Sequence, residues 1–364
     1  RKWVPDPGWT GDWAMPELLR RPLTAAERGG LVALSGAGMG PGQLARALAR
    51  ARRMDHVLGD FLDQSRAALR LLSRQGARAV VPSDDEYPDE LGAIDAPPPL
   101  LYVRGGRLDE LRPAVAIVGA RACTAGAARF ARRLGSSFAA AGFVVVSGLA
   151  RGIDAAAHEG ALEAGRTVAV LGTGIDVCYP SEHADLASRI AADGALVTEF
   201  PPGVGPRAWH FPARNRIISG LSLALVIVEA GTTSGALITA GFALDQGREV
   251  FACTTGPENP AGAGVRELLK DGAQLIVDAE QAVEVVTGLA VAQEFTFGRP
   301  TPPVERVLAL DAELGRIYDA ITEECTVDEV AANASLPPAR VASGLAELEL
   351  DGLVAVSSGR WRRQ

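Results

Sequence analysis

Arg214 and Arg216 flank Asn215 in the run His210-Phe211-Pro212-Ala213-Arg214-Asn215-Arg216-Ile217-Ile218-Ser219-Gly220, with Trp209 and Phe211 just ahead of them. From Pro201 to Gly220 there are three Arg and no Asp or Glu. Guanidinium groups grip phosphates in a bidentate fork, and an aromatic ring offers any base a stacking face. Together they are the chemistry of single-stranded nucleic-acid binding. A surface loop with two solvated arginines is the alternative reading.

Glycine-rich turns recur before and after this run. Val118-Gly119-Ala120-Arg121 is followed by Thr124. Gly119 lets a phosphate approach the backbone, and Arg121 and Thr124 stand where a following helix N-terminus would hold an anion. The turn is not GxGxxG, and no acidic residue follows about 20 positions on to take a ribose, so no dinucleotide cofactor is expected. Ser147-Gly148-Leu149-Ala150-Arg151-Gly152, Leu171-Gly172-Thr173-Gly174 and Thr233-Ser234-Gly235 are further phosphate-compatible turns. Asp154 and His158, four apart, read either as an acid–base pair or half a metal site, or as a structural carboxylate near a helix start. Cys123, Cys178, Cys253 and Cys325 form no CxxC pair, so neither a zinc site nor a disulfide framework is expected. No nucleophile, metal or other cofactor stands out.

The elements that carry these turns alternate. Strands are expected at Ala114–Val118, Gly142–Ser147, Thr167–Leu171, Ala195–Thr198, Ala224–Val228, Glu249–Ala252 and Leu275–Ile276. Helices are expected at Gly126–Ala141, Ile153–Ala164, Ser181–Ala192 and Gly235–Gln246. Short apolar strands joined by crossover helices make a parallel sheet covered on both faces, whose ligands bind beyond the carboxyl ends of the strands. Upstream, residues 1–80 read as a small helical bundle. Residues 43–82 hold 8 Arg against 3 Asp, with Arg66, Arg70, Arg74 and Arg78 every four residues, the first three or four on one helix face: a solvated basic face or a nucleic-acid-facing stripe. Val81 to Ala96 reads as extended, closed by Pro97-Pro98-Pro99, and residues 286–305 as a linker. Residues 306–364 read as three helices and a two-stranded wing, the winged-helix pattern. In its third helix, Arg340 is accompanied by Glu347 and Glu349, poor chemistry for duplex reading, which favours protein contact or regulation.

The strand-end motifs resemble those of the DprA/Smf family of DNA-processing proteins, in order and spacing, over roughly residues 80–285. The carriers are Val118-Gly119-Ala120-Arg121, Ser147 to Asp154 with His158, Leu171 to Asp176 with Tyr179-Pro180, Phe211 to Ser222, and Glu229-Ala230 through Ala240. The resemblance implies an α/β fold: an extended Rossmann-like parallel sheet (81–285) flanked by an N-terminal helical SAM/HhH-like domain (1–80) and a C-terminal winged-helix domain (306–364). It implies a non-enzymatic homodimer that binds single-stranded DNA and loads a RecA-type recombinase in natural transformation or homologous recombination. It also implies a DNA site at Gly119, Arg121, Ser147, Gly148, Arg151, Gly172, Gly174, Phe211, Arg214, Asn215, Arg216, Ser234 and Gly235. Ala120 and Ala236 stand where the family often has Ser.

An enzyme of the related phosphoribohydrolase type is the alternative. Such enzymes place carboxylates after the glycine loop, whereas here Glu229 precedes it and the next acidic residue is Asp245. The composition is compatible with the binder: 364 residues, net charge −8, 48% hydrophobic. Phosphate binding needs a local positive patch and not a basic total. No apolar run is long enough for a membrane helix, residues 1–12 have no apolar core of a signal peptide, and the unpaired cysteines suit a reducing cytoplasm.

Overall fold

The computed structural model describes residues 16–51, 53–59, 61–253, 262–296, 312–321, 325–350, 354–357 and 360–363. They fall into two units, divided between Ala290 and Val291.

The first unit is built on a nine-stranded sheet of order β1-β2-β6-β5-β4-β3-β7-β8-β9. Its strands are β1 (Ala77–Val80), β2 (Leu101–Gly105), β3 (Ala114–Gly119), β4 (Val144–Ser147), β5 (Thr167–Val170), β6 (Ala195–Thr198), β7 (Ala224–Val228), β8 (Glu249–Cys253) and β9 (Gln274–Leu275). From β6 through β9 all neighbours are parallel; β2 and β1 add an antiparallel edge. The apolar strands follow from two-sided burial. Ala114, Ala116 and Val118 pack on one face of β3 and Val115 and Ile117 on the other, the period of two that a pleated strand imposes. Each buried Val, Leu or Ile contributes about 1.5–3 kcal/mol.

Helices α1 (Ala25–Gly36), α2 (Pro41–Arg50), α3 (Asp55–Leu58) and α4 (Phe61–Arg74) precede the sheet. They share a core with Leu100, Tyr102, Ala169 and Leu171 of the sheet region. The short α5 (Asp89–Gly92) follows β1. Crossovers α6 (Ala125–Ala140) and α7 (Ile153–Ala164) cover one face with α12 (Ala279–Thr296). The helices α9 (His210–Gly220), α10 (Gly235–Asp245) and α11 (Ala263–Lys270) cover the other, and α8 (Ala184–Asp193) joins the core of the N-terminal helices.

Several expectations change. The arginine repeat breaks: Arg66, Arg70 and Arg74 lie on α4, but Arg78 is on β1, where it pairs with Glu86, because Gln75 and Gly76 turn the chain into the sheet. Residues 77–80, read with the helices, are a strand, and residues 81–96 contain α5 instead of being extended throughout. Residues 286–296, read as linker, continue α12; the rest of that linker, 297–305, lies outside the described residues. The run from His210 is helical: Pro212 sits in the first turn, where its missing N–H breaks no helical hydrogen bond, and Ala213, Ile217 and Ile218 are buried.

The second unit holds helices Ala312–Asp319, Val327–Ala334 and Pro338–Leu350 and a hairpin of Val354–Ser357 with Arg360–Arg363. Thr326 caps the second helix in a reciprocal box with Glu329. Ile317, Ile321, Val330, Val341, Leu345 and Val354 form its core. Three helices and a two-stranded wing are the expected winged helix. Among the described residues no helix is long and apolar enough to cross a membrane.

Candidate nucleic-acid interface

The strand order reverses at β3: the chain proceeds from β3 to β4, β5 and β6 on one side and returns to β7 and β8 on the other. Beyond the carboxyl ends of β3 and β7 opens a cleft of about 630 Å³, bounded by residues 118–122, by α9 and by the turn into α10. This is the switch-point position that such sheets reserve for ligands.

Glycine lets the two strand ends meet. A Cβ on Gly119 would run into the Val228 carbonyl and the Ile153 side chain. Beyond it the Ala120 N–H donates to the Glu229 carbonyl at 2.7 Å. Glu229, at a positive φ of 52°, turns its carboxylate back: Oε2 accepts from the Thr124 N–H at 2.7 Å and from the Thr124 hydroxyl at 3.2 Å. A carboxylate of the chain itself thus occupies the N-terminus of α6. The Thr124 groups expected to face a phosphate are thus both engaged by Glu229.

The N-terminus of α10 is different. Ser234 caps it, its Oγ accepting from the Ala236 N–H at 3.3 Å, and no acidic side chain lies in the first turn. Ser234 and the exposed Gly235 line the cleft, and Asn215 Nδ2 reaches the Gly235 carbonyl at 3.4 Å. Amide donors and a positive helix end face the space.

Arg214 lies at the cleft but is 3% exposed. Its Nη1 donates to the carbonyls of Gly148 (3.0 Å) and Val170, and its Nε has no protein partner. Burial lowers its pKa to about 10, the Asp154 charge opposing, so it stays cationic at neutral pH. Asp154 accepts the N–H groups of Gly148 (3.1 Å) and Ala150 (3.4 Å). A side chain at Gly148 would collide with the Arg214 guanidinium and the Asp154 carboxylate. Asp154 is therefore structural. His158 is not its partner: it is buried, with Nδ1 2.7 Å from Thr167 Oγ1. Thr167 donates its own proton to the Val145 carbonyl, so His158 carries its proton on Nδ1. Burial pushes the His158 pKa down to about 3.

Arg121 is exposed at the mouth, its guanidinium carbon 5.4 Å from the centre of the Phe211 ring, within cation–π range. Phe211 is half-buried, and the exposed Tyr179 ring lies 5.4 Å from it at 42°. Between them a small pocket of about 70 Å³ also touches Gly148, Arg151 and Pro180.

The expected site residues therefore divide. Gly119, Arg121, Phe211, Arg214, Asn215, Ser234 and Gly235 line the cleft, and Gly148 and Arg151 the adjoining pocket. Arg151 is ion-paired with Glu182 at 2.5 Å. Ser147, Gly172, Gly174 and Arg216 line neither, and each is engaged by neighbours within the fold. The Ser147 hydroxyl donates to the Ile117 carbonyl at 2.6 Å. Gly172 lies under the Phe211 ring, its carbonyl taking the His210 Nδ1 proton at 3.0 Å. Gly174 is buried and donates to the Val204 carbonyl at 2.8 Å. Arg216 is locked against Glu199 by two 2.8 Å bonds, with both side chains buried. Tyr179 is a lining residue to which the sequence motifs assign no role; the signal for it is Tyr179-Pro180, which repeats the aromatic–proline order of Phe211-Pro212.

Residues 78–287 match the model of the family described as DNA recombination-mediator protein A, and residues 300–360 that of the DprA winged helix domain. The chain is 41% identical over 292 residues to Protein Smf of Escherichia coli, covering 78% of this chain and 77% of that protein. The crystal structure of DNA processing protein A from Streptococcus pneumoniae superposes with a TM-score of 0.58 at 34% identity, over 73% of this chain and 95% of that one. A structure of DNA processing protein A from Helicobacter pylori, described for its single-stranded DNA binding mode, superposes with a TM-score of 0.53 at 27% identity, over 58% and 96%.

Proposed function

The chain belongs to the DNA recombination-mediator protein A family, and from that premise we propose that it binds single-stranded DNA in the switch-point cleft without cutting it. The observation that carries this reading is the Arg121 guanidinium over the Phe211 ring at the mouth of a cleft also lined by the α10 N-terminus and Arg214. Phosphates would lie against Arg121 and the α10 amides, and a base against Phe211. Such contacts hold any sequence and weaken with salt. The H. pylori relative described for its single-stranded DNA binding adds support.

A non-enzymatic role fits the carboxylates. Asp154 is held by two N–H groups beside Arg214, and Glu229 by Thr124. Neither is placed to activate water, which is what the phosphoribohydrolase alternative needs. We extend the reading to a homodimer that hands its strand to a RecA-type recombinase, with the winged helix serving protein contact.

Fluorescence anisotropy with single-stranded and duplex oligonucleotides across a salt series tests the core reading. The expected result is a preference for single strands, weakened in Arg121→Ala with a salt slope smaller by about 0.7. Arg121 is the suitable probe because it is exposed, whereas Arg214 and Arg216 are buried and their loss perturbs folding. Absence of single-strand binding at low salt overturns the function; binding indifferent to Arg121→Ala overturns its placement.

A further inference from the structure

Helix α4 carries Arg66, Arg70 and Arg74 at successive four-residue steps, all exposed, while Ser65 and Leu72 face the core. Each step advances about 6 Å, so three charges line about 12 Å of helix. Other arginines nearby are committed: Arg28 to Asp84, Arg53 to Asp55 and Arg78 to Glu86. Among the described residues no such ion pair forms at the three on α4. Like charges four apart repel and cost helix stability. A polyanion laid along the row would reverse the sign of that term.

The row leads back to the cleft. Just past the end of α4, Gln75 Nε2 donates to Asp176 Oδ2 at 3.3 Å, in the loop that continues to Tyr179. Gly76 lies beside the side chain of Arg104 on β2, a strand that borders the same core as Cys178, the neighbour of Tyr179. Phe61, Leu62, Ala68 and Leu69 of α4 and Cys178 pack on one core with Leu171 and Ile175. Tyr179 then meets Phe211. The acidic groups on this route are engaged or at its far end: Asp176 with Gln75 and the Gly203 N–H (2.8 Å), Glu182 with Arg151, and Asp63 in the first turn of α4.

We propose that α4 is a phosphate track: a single strand leaving the Phe211–Tyr179 step crosses Arg104 and runs along Arg74, Arg70 and Arg66. This rests on the cleft reading above and adds a second contact region that only a longer strand reaches. It makes the affinity depend on strand length through electrostatics alone.

The test compares oligo-dT of about 6 and about 30 nucleotides, lengths near the lower end of and well above a typical single-strand site. Binding is measured by anisotropy on the full chain, as wild type, Arg66→Ala/Arg70→Ala/Arg74→Ala and the corresponding triple Lys variant. The expected result is unchanged binding of the short strand and about tenfold weaker binding of the long one by the Ala variant at low salt, its salt slope smaller by about 2. The Lys variant restores the long-strand affinity, since a track needs charge and not the guanidinium fork. Equal losses on both strands, or no loss on the long one, overturn the track while leaving the cleft reading intact. A wild type that binds neither strand overturns the cleft reading, and the track with it. Thermal melts of the three proteins are expected to coincide; a variant that melts early and loses both strands falls under the equal-loss outcome.

Discussion

The guanidinium of Arg216 lies against the carboxylate of Glu199 in two 2.8 Å hydrogen bonds, with the side chains 4% and 0% exposed. Arg216 Nε also donates to the Ala96 carbonyl at 2.9 Å, tying α9 to the segment before β2. An arginine that resembles a DNA ligand in sequence is thus a structural clamp. Removing one partner strands a buried charge, which costs about 3–5 kcal/mol. Arg216→Ala is expected to lower the unfolding free energy obtained from urea melts by that amount and to lose DNA binding only in proportion to the unfolded fraction. Native stability together with abolished binding would show that Arg216 touches DNA directly.

Phe211 contributes through its face and not its charge. Phe211→Ala is expected to weaken single-strand binding by about 1–3 kcal/mol, the worth of one stacked base, and to leave the salt slope where it is. Arg121→Ala shows the complementary pattern, a smaller salt slope. Anisotropy over a salt series separates the two, and a changed slope in Phe211→Ala would mean that its loss disturbs the phosphate contacts.

Glu229 sits on the α6 N-terminus through Thr124. Glu229→Gln keeps the shape but removes the charge that offsets the helix dipole and lets the amide flip toward Thr124. A loss of about 1–2 kcal/mol of stability is expected, with no catalytic activity gained or lost. A nucleotide-hydrolysis activity in wild type that vanished in Glu229→Gln would instead revive the enzyme alternative.

Two histidines make stability depend on pH. Burial holds the pKa of His158 down at about 3 and that of His210 at about 4. In the unfolded chain both titrate near 6.5. Below that pH the unfolded chain takes up protons the native state refuses, so the stability they contribute is intact above about 6.5 and falls as pH drops. The slope approaches 1.4 kcal/mol per pH unit for each histidine, His210 ceasing to add to it near 4 and His158 near 3. Urea melts between pH 7.5 and 5 are expected to show that decline, and His158→Gln to flatten it by one proton. An unchanged slope would mean that His158 is protonated in the native protein.

The alternation of strand and helix was legible because β3, β4, β5, β6 and β7 are buried on both faces and so leave continuous apolar runs. The glycine at the end of β3 was legible as a close approach, and Arg121 as a surface cation. What approaches Gly119 was not: it is the Val228 carbonyl as well as the cleft. Local residue types sufficed for strands whose two-sided burial leaves an unbroken apolar run.

Tertiary structure decided which charges remain available. Arg214, Arg216, Thr124 and Asp154 look alike as polar groups in turns, but their partners Gly148, Glu199, Glu229 and Arg214 lie 66, 17, 105 and 60 residues away. Whether an arginine faces a phosphate or a carboxylate is set by which strand ends the sheet order brings together. The sequence alone determined the family, the parallel sheet and the winged helix. That Arg121 is exposed at the cleft mouth with Phe211 half-buried beside it, while Arg216 is buried against Glu199 and Glu229 against Thr124, came only with the tertiary packing, because burial is a property of neighbours distant in the chain.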